Sequence, residues 1–383
     1  LKNSNIRRFA KIKGFYISLD KNILVIVWIL LFKMKPFNLE VTSSSKIFKN
    51  ASPKILMLLR VADIIKKYFS CKYFNTPTDI INSQFNGHIL IRTTNGVKVF
   101  NMVKDTVVTQ YKHSITGGDF KKIVNDLESI EKYKISPKII KVNHTEKNIY
   151  EKYYNYKKAE RFYPVTTYYY YYILPLLIRN INIFPSKKIL LQDYLDGIKQ
   201  NVNLSRFIKI ENEVKDLEFV NTYLERRINE IISLKDAEFV FLSFSHGDLH
   251  AWNILIDEKG IKIIDWDTLD ERSIYFDLFY SLFHNLFGNE KNNYREFISH
   301  LNNIIISFNN KISIQEFHPA FQKRELYRKL FYLEYIKMYY FKKIKTESNS
   351  VNVKKLIGNL IKDIMVFEEI ERTYSETPQI KSS

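Results

Sequence analysis

The residues best equipped for chemistry lie in the run Ser245-His246-Gly247-Asp248-Leu249-His250-Ala251-Trp252-Asn253 and, a little further on, in Lys262-Ile263-Ile264-Asp265-Trp266-Asp267. Two carboxylates and a side-chain amide, at 248, 265 and 253, are hard oxygen donors. Donors of that kind suit Mg2+ held against phosphates, and transfer of a phosphoryl group also needs a carboxylate beside the attacking hydroxyl. A tight turn after a buried strand can present such groups together, and Phe239 to Phe244 is an apolar run of strand length directly before the turn. His246, Asp248 and His250 could also ligate zinc by residue type, but no further downstream His or Cys motif completes the set.

Asp248 and Asn253 are five positions apart, the spacing with which a kinase catalytic loop places its carboxylate and its amide metal ligand. Together with Asp265 after an apolar strand and the later pair Asp277-Leu278, they resemble the aminoglycoside phosphotransferase and choline kinase family. Its pattern is H-G-D-x-x-x-x-N, a hydrophobic strand ending in I-D-W or I-D-F, then D-L. The resemblance covers roughly residues 85 to 285. It implies an α+β, two-lobed protein-kinase-like fold with an antiparallel small lobe and a mainly helical large lobe, and it implies ATP and Mg2+ as cofactors.

Residue by residue, the resemblance makes Asp248 the catalytic or hydroxyl-orienting group, and Asn253 and Asp265 the metal ligands. His246 braces the loop, Asp267 is an auxiliary acid or a surface ion-pair partner, and Asp277 caps or braces. For the nucleotide, a third-strand lysine is expected, with Lys112 as candidate, and Glu128, or failing it Asp126, as its acidic partner. The segment Ile149 to Tyr153 resembles the family hinge, where backbone groups near Glu151 and Tyr153 would bond adenine.

Protein kinases carry an Arg before the catalytic Asp and a long activation segment. Here Gly247 stands in that place, eleven residues separate Asp265 from Asp277, and no A-P-E follows, so a small hydroxylated acceptor is expected in place of a peptide. The tyrosines at 327, 335, 339 and 340 would line an acceptor wall or pack between helices. A kinase fold that binds without turnover is the alternative reading, motivated by Gln110 where a lysine might stand. No nucleic-acid reader motif is present.

These groups need elements to position them. Ile89 to Arg92, Val97 to Val103 and Thr106 to Lys112 read as a three-stranded meander, with Asn95-Gly96 supplying the positive φ of a hairpin turn. Asp119 is the expected cap of a helix over Phe120 to Tyr133, whose Phe120, Ile123, Val124, Leu127 and Ile130 share one face. Lys138 to Val142 and Asn148 to Tyr150 read as two more strands. Helices are expected over Glu211 to Ser233 and again from Phe276 onward, and Ile261 to Ile264 is a further buried strand. The domain plan is therefore a basic extension over 1–75, a nucleotide-binding lobe over 76–150 and a helical lobe over 151–383. Tyr168 to Tyr172, five tyrosines in a row, suit packing or sugar stacking.

A chain of 383 residues with 45% hydrophobic and 26% charged content buries a sizeable core and divides into domains. Its one cysteine, Cys71, closes no intrachain disulfide, so a reducing cytoplasm is expected. Of the net charge of +18, residues 1–75 hold 15 Lys and Arg against three acids, a net +12. Clustered cations of this kind gain at an anionic surface, so peripheral contact with the inner membrane surface is one expectation for this segment and a solvated basic face another. Inside it, the ten-residue run Ile23 to Phe32 is too short to span a bilayer and has no cleavage site after it; it is expected to be a buried strand, a docking element or a surface anchor. Leu1 stands where an initiator Met is expected, and Met34 and Met57 are internal alternatives.

Overall fold

A computed structural model describes residues 6–12, 14–37, 53–74, 79–158, 184–201, 214–234, 238–258, 260–287, 323–341, 343–344 and 350–376. Tyr168 to Tyr172 lie outside them. The chain forms two compact units, Leu1–Arg161 with Trp252–Asp267, and Phe162–Ala251 with Thr268–Ser383.

The first unit is built on strands β1 (Arg7–Ile12), β2 (Phe15–Ser18), β3 (Ile80–Ser83), β4 (Ile89–Thr93), β5 (Gly96–Asn101), β6 (Thr106–Tyr111), β7 (Ile139–Asn143) and β8 (Asn148–Lys152). They form one eight-stranded antiparallel sheet in the order β3-β1-β2-β4-β5-β6-β8-β7. The meander, the helix after it and the two following strands occur in the order the sequence predicts. Residues 7–18 are not an extension, because they lengthen this same sheet; the boundary drawn at residue 75 falls inside the unit.

Three helices cover one face of the sheet: α1 (Ile23–Phe32), α2 (Pro53–Tyr73) and α3 (Gly117–Glu131). The run at 23–32 is thus a helix and not a strand. Its apolar residues surround the axis, so periodicity could not tell the two apart. What sets the helix is its start, where Asn22 Oδ1 accepts the Leu24 N–H at 2.8 Å. Ile26, Ile29 and Leu30 face inward and meet Val61, Ile64 and Tyr68 of α2 over Ile17 and Ile89 of the sheet. At the other end of that face, Phe120 and Val124 of α3 pack on Tyr111 and Ile149. The cap of α3 is Thr116, whose Oγ accepts the Asp119 N–H at 3.1 Å, so Asp119 sits in the first turn and not before it.

The β4–β5 turn is also formed differently from the expectation. Thr93 pairs with Gly96, so Thr94 and Asn95 make the turn, and neither Asn95 nor Gly96 takes a positive φ. Glycine is required at 96 for space: a Cβ there would lie 1.9 Å from the Gln110 carbonyl oxygen.

Beyond β8 the chain adds β9 (Lys157–Lys158) and enters the second unit with β10 (Lys187–Leu190), α4 (Leu191–Asn201), α5 (Val214–Ile232) and β11 (Phe239–Ser245). It returns to the first unit for β12 (Ile254–Asp257) and β13 (Gly260–Ile263), which pair with β9 in the order β13-β12-β9. The strand read at 261–264 therefore lies in the first unit, in a three-stranded sheet separate from the eight-stranded one. Then β14 (Asp270–Ser273) completes the sheet β10-β11-β14 of the second unit. Helices α6 (Phe276–Phe287), α7 (Arg324–Tyr335), a π turn over Ile336–Phe341, and α8 (Ser350–Glu376) follow. Their core is aromatic, with Phe331 against Phe276, Phe279 and Phe367. The whole is α+β.

Candidate functional site

Residues directly opposite on antiparallel strands share a face of the sheet. Lys98 of β5 pairs with Thr109 of β6, and Phe100 pairs with Val107, which in turn pairs with Glu151 of β8. This patch lies between the areas covered by α1–α2 and by α3. It lines an open cleft, which Leu255, Ile264 and Asp265 help to wall. Most of its surface is apolar, and its charged lining residues are Lys98, Glu151, Lys152, Asp265 and Asp267.

The Lys98 ammonium lies 2.7 Å from Asp265 Oδ1. The aspartate is in the left-handed region, φ 69, where it follows Ile264 directly out of β13; an aspartate tolerates this better than most residues. The β4–β5 turn reaches the neighbouring acid, with Asn95 Nδ2 donating to Asp267 Oδ2 at 3.2 Å. Burial opposes the charge on Lys98, yet Asp265, Asp267 and Glu151 together raise its pKa. Glu151 goes the other way. Burial first, then the charges of Asp267 and Asp265, lift its carboxyl to about 7 against the counter-pull of Lys98. One ammonium facing three carboxylates leaves an excess of negative charge, although among the described residues no three His, Cys, Asp or Glu side chains come close enough together to hold a metal ion. Asn253, on the 3-10 turn Ala251–Asn253, is buried, and its backbone carbonyl accepts the Ile264 N–H at 2.9 Å.

In the second unit, β11 delivers the loop that begins at His246. Asp277, in the first turn of α6, gathers the loop onto one carboxylate: Ser245 Oγ and the Gly247 N–H both donate to Oδ1 at 2.9 Å, and the His246 N–H donates to Oδ2 at 2.7 Å. His246, 1% exposed, accepts the Asp248 N–H on Nδ1 at 3.2 Å, and its carbonyl accepts the Thr268 hydroxyl at 2.6 Å. Gly247 has φ +82, and a Cβ on it would lie 2.8 Å from Arg272 Nη1 and from the Thr268 carbonyl oxygen. Only glycine satisfies both conditions.

This packing fixes Asp248. The Tyr280 hydroxyl donates to its Oδ1 at 2.5 Å, and His250 Nε2 lies 3.6 Å from its Oδ2. Burial alone would raise the carboxyl, but His250 and Tyr280 overcome it and hold the pKa at about 2. Asp248 is ionised throughout the neutral range. His250 in turn stacks on His284 of α6 with ring centres 4.7 Å apart.

Several expectations change. Lys112 lies past the end of β6, exposed, with its backbone N–H on the Asn95 carbonyl; Lys98, and not Lys112, reaches Asp265. The reason is parity: Val107, Thr109 and Tyr111 face the cleft, so Gln110 and Lys112 point to the other side. Glu128 is exposed on α3, and the glutamate facing Lys98 is Glu151, through its side chain and not its backbone. The Tyr153 N–H is taken by the Asp105 carbonyl at 2.8 Å and its hydroxyl donates to the Lys33 carbonyl, so this residue ties the strand end to α1. Tyr327, Tyr335 and Tyr340 are buried in helix packing, whereas Tyr339 is 37% exposed. Sequence reading missed Lys98, Tyr280 and His284. Lys98 was accessible by counting back from the Lys104-Asp105 turn to the residue opposite Thr109, but Tyr280 and His284 carried no signal.

None of the curated proteins matches this sequence. Among solved structures, the chain is similar to the choline kinase LicA from Streptococcus pneumoniae, at 14% identity and a TM-score of 0.42 over 79% of this chain and 98% of that one. An ethanolamine kinase from Plasmodium vivax is 14% identical with a TM-score of 0.46, over 87% and 98% of the two chains. An aminoglycoside phosphotransferase from Streptomyces rimosus is 13% identical with a TM-score of 0.41, over 65% and 92%. Residues 198–303, which carry the loop from Ser245 to Asn253 and the acids at 265, 267 and 277, match the model of the phosphotransferase enzyme family.

Proposed function

We propose that the protein is an ATP-dependent phosphotransferase that phosphorylates a hydroxyl of a small molecule, a sugar, glycan or amino alcohol. The observation that carries this reading is the first unit's cleft, mostly apolar, in which Lys98 meets the charges of Asp265, Asp267 and Glu151. An adenine ring suits the apolar lining, and a polyphosphate with its Mg2+ suits the charged groups around Lys98. Asn253 and Asp265 would hold the cation, with Asp267 beside them, and the metal when bound would neutralise charge on the phosphate oxygens. In the transfer, the bond from the γ-phosphorus to the bridging oxygen of ADP breaks and a bond to the acceptor oxygen forms. Asp248, ionised and fixed by Tyr280, orients the acceptor hydroxyl and receives its proton as the new bond forms.

The reading of a kinase fold without turnover rested on Gln110. That residue lies on the face of the sheet opposite the cleft, cross-strand from Val97, so its identity does not bear on the nucleotide.

Among the described residues no helix is long and apolar enough to cross a membrane. We propose instead that α1 rests on an anionic membrane surface, supported by its exposed Leu24, Trp28 and Phe32 and by the basic segment that contains it.

The test is ADP release with Mg2+ against a panel of sugars, amino alcohols, aminoglycosides and oligosaccharides. Asp248→Asn and Asp265→Asn should each lower turnover by about 10²–10⁴-fold while circular dichroism is unchanged. Full turnover in Asp248→Asn would overturn the proposal.

A further inference from the structure

We infer that the phosphate-holding lysine of this chain has moved to the neighbouring strand: Lys98 of β5 does the work expected of a lysine on β6, and Thr109 occupies the vacated position. This rests on the nucleotide reading above and assigns its central cation.

The argument begins from register. Counting β4, β5 and β6 as the three meander strands, the expected lysine stands on the third. On β6 the cleft-facing positions are Val107, Thr109 and Tyr111, and none can carry a positive charge. Directly across from Thr109, on the same face and one strand spacing away, is Lys98. A lysine side chain extends further than the distance between neighbouring strands, so its ammonium can reach the volume that a lysine rooted at 109 would occupy. Thr109 is short and buried, which leaves that path open. Lys98 is also the cation that meets Asp265, at 2.7 Å, the acid proposed as a metal ligand.

The acidic partner has moved with it. An ammonium rooted on the third strand is expected to find its glutamate on the helix that follows, yet Glu128 of α3 is exposed. Lys98 is surrounded by Asp265, Asp267 and Glu151, and Glu151 comes from β8, two strands away across Val107 and Phe100. Both members of the pair therefore come from the sheet. A plain structural ion pair is the competing account, and it predicts loss of stability without any change in nucleotide affinity of the folded protein.

The experiment measures binding of a fluorescent ATP analogue to the full chain in Mg2+, by anisotropy and by ATP competition, alongside thermal unfolding of each variant. Lys98→Met should weaken binding roughly 10- to 100-fold, the scale of one charge-assisted contact to phosphate. The exchange variant Lys98→Thr with Thr109→Lys returns an ammonium to the same face from the other strand, and it should recover most of that loss. Lys112→Met should bind as the parent does. Parent-like binding by folded Lys98→Met overturns the lysine assignment alone. If Lys98→Met does not fold, the exchange variant decides: folded and non-binding, it overturns the proposal. A parent chain that fails to bind ATP overturns the nucleotide reading itself, and the lysine assignment with it.

Discussion

Asp248 carries a charge that its neighbours hold in place. Without them burial would favour the neutral acid; with the Tyr280 hydroxyl on Oδ1 and His250 beside Oδ2 the pKa is about 2. Tyr280→Phe removes one of the two stabilisers of the anion and leaves the ring packing intact. The carboxyl pKa must then rise toward its ordinary value, so the acid limb of the rate profile should move to higher pH. Loss of a hydrogen bond to a charged group should also lower kcat by roughly tenfold. A pH–rate profile of the variant measures both, and an acid limb that stays in place would remove Tyr280 from this role. Asp248, Asn253 and Asp265 stand out in the sequence because their spacing is local, set by one loop and one strand. Tyr280, 32 positions away on a helix, did not stand out, because nothing in a tyrosine among apolar residues marks which carboxylate it will meet. Lys98 did not stand out for a different reason: which lysine faces the cleft depends on which face of the sheet is open, and that is set by register and by the covering helices.

At the scale of elements, the meander, α3 and the strands around the loop were legible because each has a period, a turn or a breaker of its own. The helix at 23–32 was not, since its residues are apolar on every side, and β1 and β2 were not because their partners lie far along the chain. Equally silent was the ion cluster that joins three helices of the second unit. Glu371 of α8 accepts from Arg328 Nε at 2.7 Å and Lys329 Nζ at 3.2 Å of α7, and from the Tyr332 hydroxyl at 2.9 Å, with Arg227 Nη1 of α5 at 3.7 Å. Burial disfavours the Glu371 anion, but Arg328 and its companions outweigh that and hold its pKa at about 2, below the ordinary 4.5. A carboxyl lowered on folding stabilises the folded chain above its unfolded pKa, and that stabilisation is lost as pH falls from 4.5 through about 2. Glu371→Gln leaves the buried Arg328 without its counter-charge, whereas Arg227 and Lys329 keep Glu230; losing one partner of a buried pair should cost about 3–5 kcal/mol at neutral pH. Hydrogen exchange of peptides from α7 reads this locally. Protection should fall in the variant at pH 7, and the gap from the parent should narrow as pH is lowered toward 2; equal protection at pH 7 would show the cluster to be idle.

For the molecule as a whole, the distribution of charge and apolar surface bears on where it works. Residues 1–75 hold a net +12, from 15 basic and three acidic residues, and within them α1 has no charged residue. A helix that is apolar all round is ordinarily buried all round. This one buries Ile26, Ile29 and Leu30 but leaves Leu24 73%, Trp28 42% and Phe32 61% exposed, at intervals of four that put them on one side. The first turns of α2 add exposed Ile55, Leu58 and Leu59, and exposed Lys54, Lys66 and Lys67 lie on the same helix. At ten residues α1 is about 15 Å long by its rise per residue, half the hydrocarbon thickness, so it can lie in an interface but cannot cross one. Tryptophan favours that depth, and the Trp28 ring has beside it, 5.8 Å from its centre, the Lys33 ammonium that pairs with Asp105. Vesicles containing phosphatidylserine should therefore retain the protein on sedimentation, those of phosphatidylcholine alone should retain far less, and added salt should release it. Leu24→Glu with Phe32→Glu should lower the bound fraction by at least about tenfold, because each substitution forfeits roughly 1.5–3 kcal/mol of apolar burial and adds repulsion from anionic lipid. The pair lies outside the cleft, so turnover of a soluble acceptor should stay at the parent value. Equal retention of parent and variant would mean that α1 is not the contact.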